Sequence, residues 1–229
     1  AQLQPDLVGK IDAKVKTARP GTGYGMTETC GIITNISGDF FVDKPESCGP
    51  AVPTLETKCV DANGVEVAQG EVGELWVKGG PVIKGYLNRP EATAESITDG
   101  WLHTGDVARI DEDGFIFIVD RVKDMVLRGG ENIYCAEVES VVFKLDGVAE
   151  CSVFGVEDDR LGEEVGIAIF PAAGTTLTAE SIRAHCSAHM AKFKIPKYIW
   201  LMSEALPRNA SGKFLKRELR ELLDVNDAA

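Results

Sequence analysis

A change of pattern near Lys123 constrains this chain more than any other feature. The stretch from Arg121 to Glu139, Arg-Val-Lys-Asp-Met-Val-Leu-Arg-Gly-Gly-Glu-Asn-Ile-Tyr-Cys-Ala-Glu-Val-Glu, opens with charged residues, is interrupted by a Gly pair and closes in a helical pattern. Gly129 and Gly130 accept positive φ and let another molecule approach the backbone closely. Val138, Val141, Val142 and Leu145 recur at i, i+3, i+4 and i+7, the spacing of one helix face. The stretch reads as strand, turn, helix. Residues before it read as β-hairpins, and residues after it alternate helices with strands. The expected organisation is therefore two domains, 1–122 and 123–229, with chemistry between them.

At 229 residues the chain has room for one large or two small domains, each with its own core, and a hydrophobic fraction of 44% supports a globular protein. Lys plus Arg number 24 against 36 Asp plus Glu, a net charge of −12. That balance argues against general nucleic-acid or anionic-membrane binding, so an anionic partner has to be met locally. One basic run exists between Ala191 and Arg220: Lys192, Lys194, Lys197, Arg208, Lys213, Lys216, Arg217 and Arg220 against Glu204 and Glu218. A solvated basic face accounts for it as well as a binding role does. Cys30, Cys48, Cys59, Cys135, Cys151 and Cys186 are scattered without a C-x-x-C pair or a secretory signal, which fits reduced thiols and a cytoplasmic protein. No apolar run approaches the roughly 20 residues of a membrane span. The first residue, Ala1, is not Met, and the opening residues read as the middle of a longer chain.

Leu7, Ile11 and Val15 predict an amphipathic helix over Pro5 to Lys16, ended by Arg19-Pro20-Gly21. Gly23-Tyr-Gly-Met-Thr-Glu28 comes next, a Gly-flanked aromatic with a hydroxyl and a carboxylate behind it. Glycines there let a nucleobase or phosphate approach the backbone, Thr27 can donate to a phosphate oxygen, and Glu28 can hold a hard cation; a structural turn is the plainer reading. From Leu55 to Val119 short strands alternate with turns at Asp61-Ala-Asn-Gly64 and Glu112-Asp-Gly114, predicting a small twisted sheet or distorted barrel. Asp106, after Gly105 on an expected tight turn, is placed to accept two sugar hydroxyls, or is an Asp in an ordinary turn.

Beyond the boundary, Cys151–Val156, Val165–Phe170 and Tyr198–Met202 read as strands, and Thr178 as the cap of a helix over Ala179 to Met190. His185 and His189 share a helix face but lack a third ligand, which argues against a metal pair. Pro207-Arg-Asn-Ala-Ser-Gly-Lys213 ends in Gly-Lys and precedes a predicted helix with Phe214, Leu215, Glu218, Leu219 and Leu222. It is not a Walker loop, because Pro207 stands where Gly is required and Phe214 where Ser or Thr is required. Lys213 remains a mobile point charge able to reach a phosphate or carboxylate.

In order, Tyr24-Gly-Met-Thr-Glu28, Gly79 to Thr93, Thr104-Gly-Asp106, Asp120-Arg-Val-Lys-Asp124 with Gly129-Gly-Glu-Asn132, and Pro207 to Lys213 resemble the adenylate-forming superfamily of acyl- and aryl-CoA synthetases, peptide-synthetase adenylation domains and beetle luciferases. The resemblance covers nearly the whole chain. It implies a two-step reaction in which a small carboxylic acid and ATP give an acyl-adenylate and pyrophosphate, and coenzyme A then displaces AMP. It implies that Tyr24, beside Gly25, stacks on adenine, that Thr27 bonds phosphate, and that Glu28 coordinates Mg²⁺. The resemblance further implies that Asp106 accepts both ribose hydroxyls and that Arg121 hydrogen-bonds the ribose from the hinge side. By the same resemblance Lys123 takes the hinge position, about which the small domain is expected to swing to present Lys213 for adenylation and Gly129-Gly130 for thioester formation, with Gly130 flanking the pantetheine channel.

Two departures limit the match. Cys135 stands where the family has Pro, which softens the start of the next helix. The Ser/Thr/Gly-rich phosphate loop and most of the acyl pocket, which in the family precede the tyrosine motif, have no counterpart in these residues. The expectation is the C-terminal portion of a ligase, an α+β fold with part of the large domain over 1–122 and the small mobile domain over 123–229, inactive alone. A fatty acid is the expected substrate and an aryl acid the alternative. The contrasting expectation is an interaction domain that has kept the fold and lost catalysis, against which stand Glu28, Asp106, Arg121 and Lys213, all present. Exposed apolar patches before about residue 50, with pairing of two chains there, complete the reading.

Overall fold

The computed structural model describes residues 5–15, 17–210 and 212–229, with side chains from Val8 onward. The expected apolar contribution of Leu7, the end of the first helix at Lys16, and Ala1 and Ser211 lie outside what is described. The chain divides into two compact units, Ala1–Val122 and Lys123–Ala229, and the fold is mixed α+β.

In the first unit α1 (Pro5–Lys14) leads to β1 (Gly21–Met26) and β2 (Gly31–Ser37), an antiparallel pair, then to α2 (Asp39–Asp43). The strands β3 (Gly49–Pro50), β4 (Leu55–Val60), β5 (Val72–Gly79), β6 (Ile97–Thr98), β7 (Trp101–Ile110) and β8 (Phe115–Arg121) form one antiparallel sheet. Its order is β3-β8-β7-β5-β4 with β6 on β7, and it curls into a half-barrel. The short helix α3 (Pro90–Ser96) precedes β6, with Pro90 in its first turn, where a missing N–H costs nothing. Strand alternation sends Cys59, Leu75, Val77, Leu102, Ala108 and Ile116 into one core and leaves Trp76 stacked on His103, with ring centroids 3.9 Å apart, on the other face.

Turn chemistry sets the hairpins. Asp61 Oδ1 accepts the N–H groups of Asn63 and Val65 at 2.9 Å, and Asp111 Oδ1 those of Asp113 and Phe115, the Asx geometry that closes a turn with a side chain.

The second unit begins with a two-residue hairpin, β9 (Val126–Arg128) and β10 (Glu131–Ile133). Gly129 and Gly130 have φ of 58° and 90°, a combination open to glycine and matched to strand twist. Then come α4 (Cys135–Val142), β11 (Val148–Asp158), β12 (Gly162–Pro171), α5 (Ala179–His189), β13 (Tyr198–Leu201) and α6 (Lys216–Leu222). The sheet runs β10-β9-β12-β11 with β13 parallel to β12. It therefore has five strands: the three expected, plus a hairpin whose three-residue strands leave no periodicity to read. Val153, Ile167, Ile169 and Ile199 pack against Val138, Val142 and Ile182 of α4 and α5 in the main core. The other face holds Phe154, Ala168, Trp200, Leu206 and Leu219.

Several boundaries differ from expectation. Leu145 lies beyond α4, and Phe214 and Leu215 precede α6. Leu222 is 71% exposed, so only Leu219 of that helix is fully buried. Cys135 starts α4, where its thiol donates to Asp124 O at 2.8 Å. Ile32 and Phe40 are 54% and 68% exposed, in the region where apolar patches were expected. No helix of the described residues is long and apolar enough to cross a membrane.

The Thr178 hydroxyl accepts Ser181 N–H at 3.1 Å and Ser181 returns a bond to Thr178, a capping box. Thr178→Ala is expected to cost about 1 kcal/mol, Ile167→Ala about 2–5 kcal/mol through a cavity in the closed core, and Leu222→Ala less than about 0.5 kcal/mol. Urea unfolding of the second unit's signal checks the order.

Candidate functional site

In the first unit the site is built around Asp106, which is 8% exposed and lies within β7 rather than on the tight turn expected from Gly105. Gly105 has φ of 69° and falls where the β5–β7 register shifts between Glu74 and Trp76, so it marks a bulge, through which the inward phase of Leu102 and Thr104 continues to Asp106. Glu74 Oε1 accepts Gly105 N–H at 3.0 Å, and Thr104 Oγ1 accepts Asp106 N–H at 3.1 Å. The β7–β8 register sets Asp106 directly opposite Arg121, whose Nε donates to Asp106 Oδ1 at 3.1 Å. Tyr24 OH donates to Asp106 Oδ2 at 2.5 Å. A phenol, a carboxylate and a guanidinium separated widely in sequence thus meet at one point. Burial first, and the bond to Asp106 second, push the Tyr24 phenol well above its ordinary value.

Tyr24 lies in a strand, not a turn, and its flanking glycines answer to β2. A Cβ on Gly23 would stand 2.7 Å from Thr34 O, and one on Gly25 would run into the backbone of Gly31 and Ile32. Over this pair opens a groove of about 530 Å³ lined by Gly23, Tyr24, Gly25, Thr27, Ile32 and Asn35. Thr27 begins a short 3₁₀ turn with its side chain exposed, and the buried Thr29 sets its hydroxyl 3.0 Å from Met26 O and Gly31 O, fixing that turn.

Glu28 is the next residue. Its backbone O accepts Ile83 N–H at 2.9 Å and its Oε1 accepts Tyr86 OH at 3.0 Å. Among the described residues no three His, Cys, Asp or Glu side chains cluster as a metal cage. A lone oriented carboxylate is nevertheless the donor Mg²⁺ takes when substrate phosphates and water supply the remaining oxygens, so Glu28 fits that role. Tyr86 belongs to the Gly79–Thr93 segment, and sequence reasoning assigns it no function; nothing local says that its hydroxyl reaches Glu28.

In the second unit Lys123 is the first residue, within a 3₁₀ turn over Val122–Asp124, and is exposed. The Gly129-Gly130 turn is pinned to β12. Gly129 N–H donates to Leu161 O at 2.8 Å, and Arg128 makes a two-pronged contact with the buried Glu164 at 2.5 and 3.2 Å. A Cβ on Gly130 meets nothing within 4 Å, so its positive φ, not local crowding, makes glycine necessary in this unit. Lys213 is exposed, and among the described residues neither a hydrogen bond nor an ion pair reaches its Nζ. Five of its seven neighbours in the basic run are occupied, Lys194 by Glu137, Lys197 by Asp158, Arg208 by Glu150, Lys216 by Glu139 and Arg217 by Glu221, while Lys192 and Arg220 have no ion pair among the described residues. The basic face expected from the charge pattern is largely a set of ion pairs. His185 and His189 sit 4.5 Å apart with their rings bonded to Val141 O and His185 O.

The Tyr24 bond carries a measurable consequence. In alkaline titration followed by tyrosinate absorbance, Tyr24 should ionise above the ordinary tyrosine value, and Asp106→Asn should lower its pKa while leaving it raised, because burial remains. A raised folded-state value means stability is fully present below the unfolded tyrosine pKa of about 10 and is lost as pH climbs through the folded value. Tyr24→Phe should flatten that alkaline loss in a melting curve taken against pH.

Comparison with known proteins gives the arrangement a family. Residues 1–87 match the model of the AMP-binding enzymes, and residues 137–213 match that of the AMP-binding enzyme C-terminal domain. A 2-succinylbenzoate–CoA ligase of Geobacillus sp. (strain WCH70) is 40% identical over 204 residues, covering 89% of this chain and 41% of the relative. A ligase of the same name from Bacillus cereus is 43% identical over 201 residues, with 88% and 41% covered. Among solved structures, o-succinylbenzoate CoA synthetase (MenE) of Bacillus subtilis with its acyl-adenylate intermediate superposes with TM-score 0.83 at 36% identity, over 94% of this chain and 43% of that one. ATP-bound MatB of Rhodopseudomonas palustris gives 0.87 at 36%, over 96% and 44%. The chain thus spans about 41% of the length of the curated relatives it matches. It belongs to the AMP-binding enzymes of the adenylate-forming superfamily.

Proposed function

We propose that these residues are the C-terminal portion of an AMP-forming acid–CoA ligase, with the end of the large adenylation domain over 1–122, the small mobile domain over 123–229, and an aryl acid as substrate. The observation that carries the reading is Asp106 held between Tyr24 and Arg121 beside an open groove. The relatives named for 2-succinylbenzoate favour the aryl acid over the fatty acid expected as the commonest substrate class of the ligases this chain resembles.

In this reading adenine lies in the groove against Tyr24, with Gly25 bringing the backbone close. Asp106 accepts the two ribose hydroxyls, taking them in exchange for part of its present bonding to Tyr24 and Arg121. Thr27 donates to a phosphate oxygen. Glu28 would hold a Mg²⁺ ion, which when bound would neutralise charge on the phosphates. The substrate carboxylate oxygen attacks the α-phosphorus, an O–P bond forms, and pyrophosphate leaves. Lys213 meets the negative charge that grows between carboxylate and α-phosphate; its lack of a competing partner among the described residues leaves the ammonium available, and preorganised charge of this kind is a large catalytic term.

Rotation about Lys123 then replaces Lys213 by the Gly129-Gly130 hairpin, along which the thiol of coenzyme A approaches. The thiolate attacks the acyl carbon, the C–O bond to phosphate breaks, and AMP departs. Gly130 keeps that face clear of a side chain.

In the full-length enzyme, pyrophosphate release with ATP and Mg²⁺ should be supported by aryl acids and little by fatty acids. Lys213→Ala should lower the adenylation rate by about a hundredfold or more, while transfer from supplied aryl-adenylate to coenzyme A persists. Preference for fatty acids would overturn the substrate assignment, and an unimpaired variant the role of Lys213.

A further inference from the structure

Lys213 sits on a loop whose shape depends on a residue far from it in sequence. Glu150, in β11 beside the bulge that comes after Val148, uses both carboxylate oxygens on the segment ahead of the lysine. Oε2 accepts Leu206 N–H at 2.8 Å, and Oε1 accepts Arg208 Nη2 at 2.9 Å. Leu206 is anchored below, 3% exposed in the cluster with Phe154, Trp200 and Leu219. Arg208 carries the restraint onward: its Nη1 donates to Gly212 O at 2.9 Å, and its guanidinium lies 4.1 Å from the centre of the Phe214 ring. These two contacts bracket Lys213 on either side along the chain.

The loop then closes on itself. Lys213 N–H donates to Asn209 Oδ1, Asn209 N–H to Lys213 O, and Gly212 N–H to Asn209 O, each at 2.9 Å, with Gly212 at φ of 80°. Beyond it, Lys216 is tied to Glu139 Oε1 at 3.0 Å, an oxygen that also accepts Val153 N–H. The two ends of the lysine loop are therefore stapled to β11 and α4 by two carboxylates, while the ammonium is left outward.

We propose that Glu150 is a positioning residue for Lys213, acting through Arg208 to hold the loop in the shape that aims the ammonium at the adenylation reaction. The role rests on the ligase function proposed for this chain. The chemistry makes it specific to a carboxylate. Leu206 N–H and the Arg208 guanidinium are both donors, so an amide at position 150 can satisfy one with its oxygen only by turning its NH₂ toward the other. Glu150→Gln therefore changes almost no volume and breaks the relay.

The test has two arms. By hydrogen exchange on the 229-residue chain, the Gly212 and Lys213 amides of Glu150→Gln should exchange about tenfold faster or more, while those of Val153 and Ile167 keep their wild-type rates. In the full-length enzyme the variant should lose about tenfold or more of the adenylation kcat with little change in KM for ATP or acid, and should keep thioester formation from supplied acyl-adenylate. Arg208→Lys, which cannot span Glu150 and Gly212 O together, should reproduce both effects even if the first variant folds poorly.

Loop amides unchanged in both variants would overturn the clamp. Faster loop exchange with full adenylation, in an enzyme that Lys213→Ala inactivates, would overturn the positioning role alone. Full adenylation in Lys213→Ala would instead remove the ligase role of Lys213 on which the proposal stands, whatever the loop amides do.

Discussion

The Asp106 carboxylate, 8% exposed and shared between a phenol and a guanidinium, is the point on which the first unit turns. A carboxylate this enclosed persists only with partners, and three separate strands have to agree for it to have them. The β7–β8 register brings Arg121 across, the alternation that buries Leu102 and Thr104 carries Asp106 inward, and β1 delivers Tyr24. A one-residue slip in the β7–β8 pairing would send Arg121 to the opposite face. The hairpin turn held by Asp111, and the core around Leu75, Leu102 and Ile116, oppose such a slip. Structure and site are in this sense one constraint.

Local chemistry is legible in the sequence where one residue settles its own surroundings. Asp61, Asp111 with Gly114, and Thr178 each close a turn or cap a helix with a side chain acting within a few positions, and the strands and helix they bound can be read from them. Asp106 reads as a turn residue because a glycine at a bulge and a glycine in a turn look alike without the partner strand. The short strands β9 and β10 escape because three residues carry no period, and α6 begins later than its apolar residues suggest because Phe214 pairs with Arg208 in a bridge first. Site residues that belong to a motif can be named in advance. Tyr86 and Glu150 cannot: each touches its partner across 58 positions, and neither has a local signature.

Charge in the second unit obeys the same logic. The basic run from Lys192 to Arg220 could have been a face for an anionic partner, yet acidic residues from β11, β12 and α4 take half of its eight cations, Lys194, Lys197, Arg208 and Lys216. Lys192, Lys213 and Arg220 are left without an ion pair among the described residues, and of these Lys213 is the one whose backbone closes a built turn on Asn209, with Arg208 bonded to Gly212 O beside it. A lysine held by its backbone and free at its ammonium suits a catalytic cation better than a structural one, because a structural one would be neutralised within its own unit.

Asp106 as the acceptor of ribose hydroxyls is the assignment on which the proposed ligase function most depends, and calorimetry of the full-length enzyme tests it directly. AMP and its 2′,3′-dideoxy analogue would be titrated into wild type and Asp106→Asn. Wild type is predicted to bind AMP at least about tenfold more tightly than the analogue, because a site built to bond hydroxyls rejects a ligand lacking them, and the variant to lose most of that preference. Equal affinity of wild type for the two nucleotides, or a preference that survives in the variant, would contradict it.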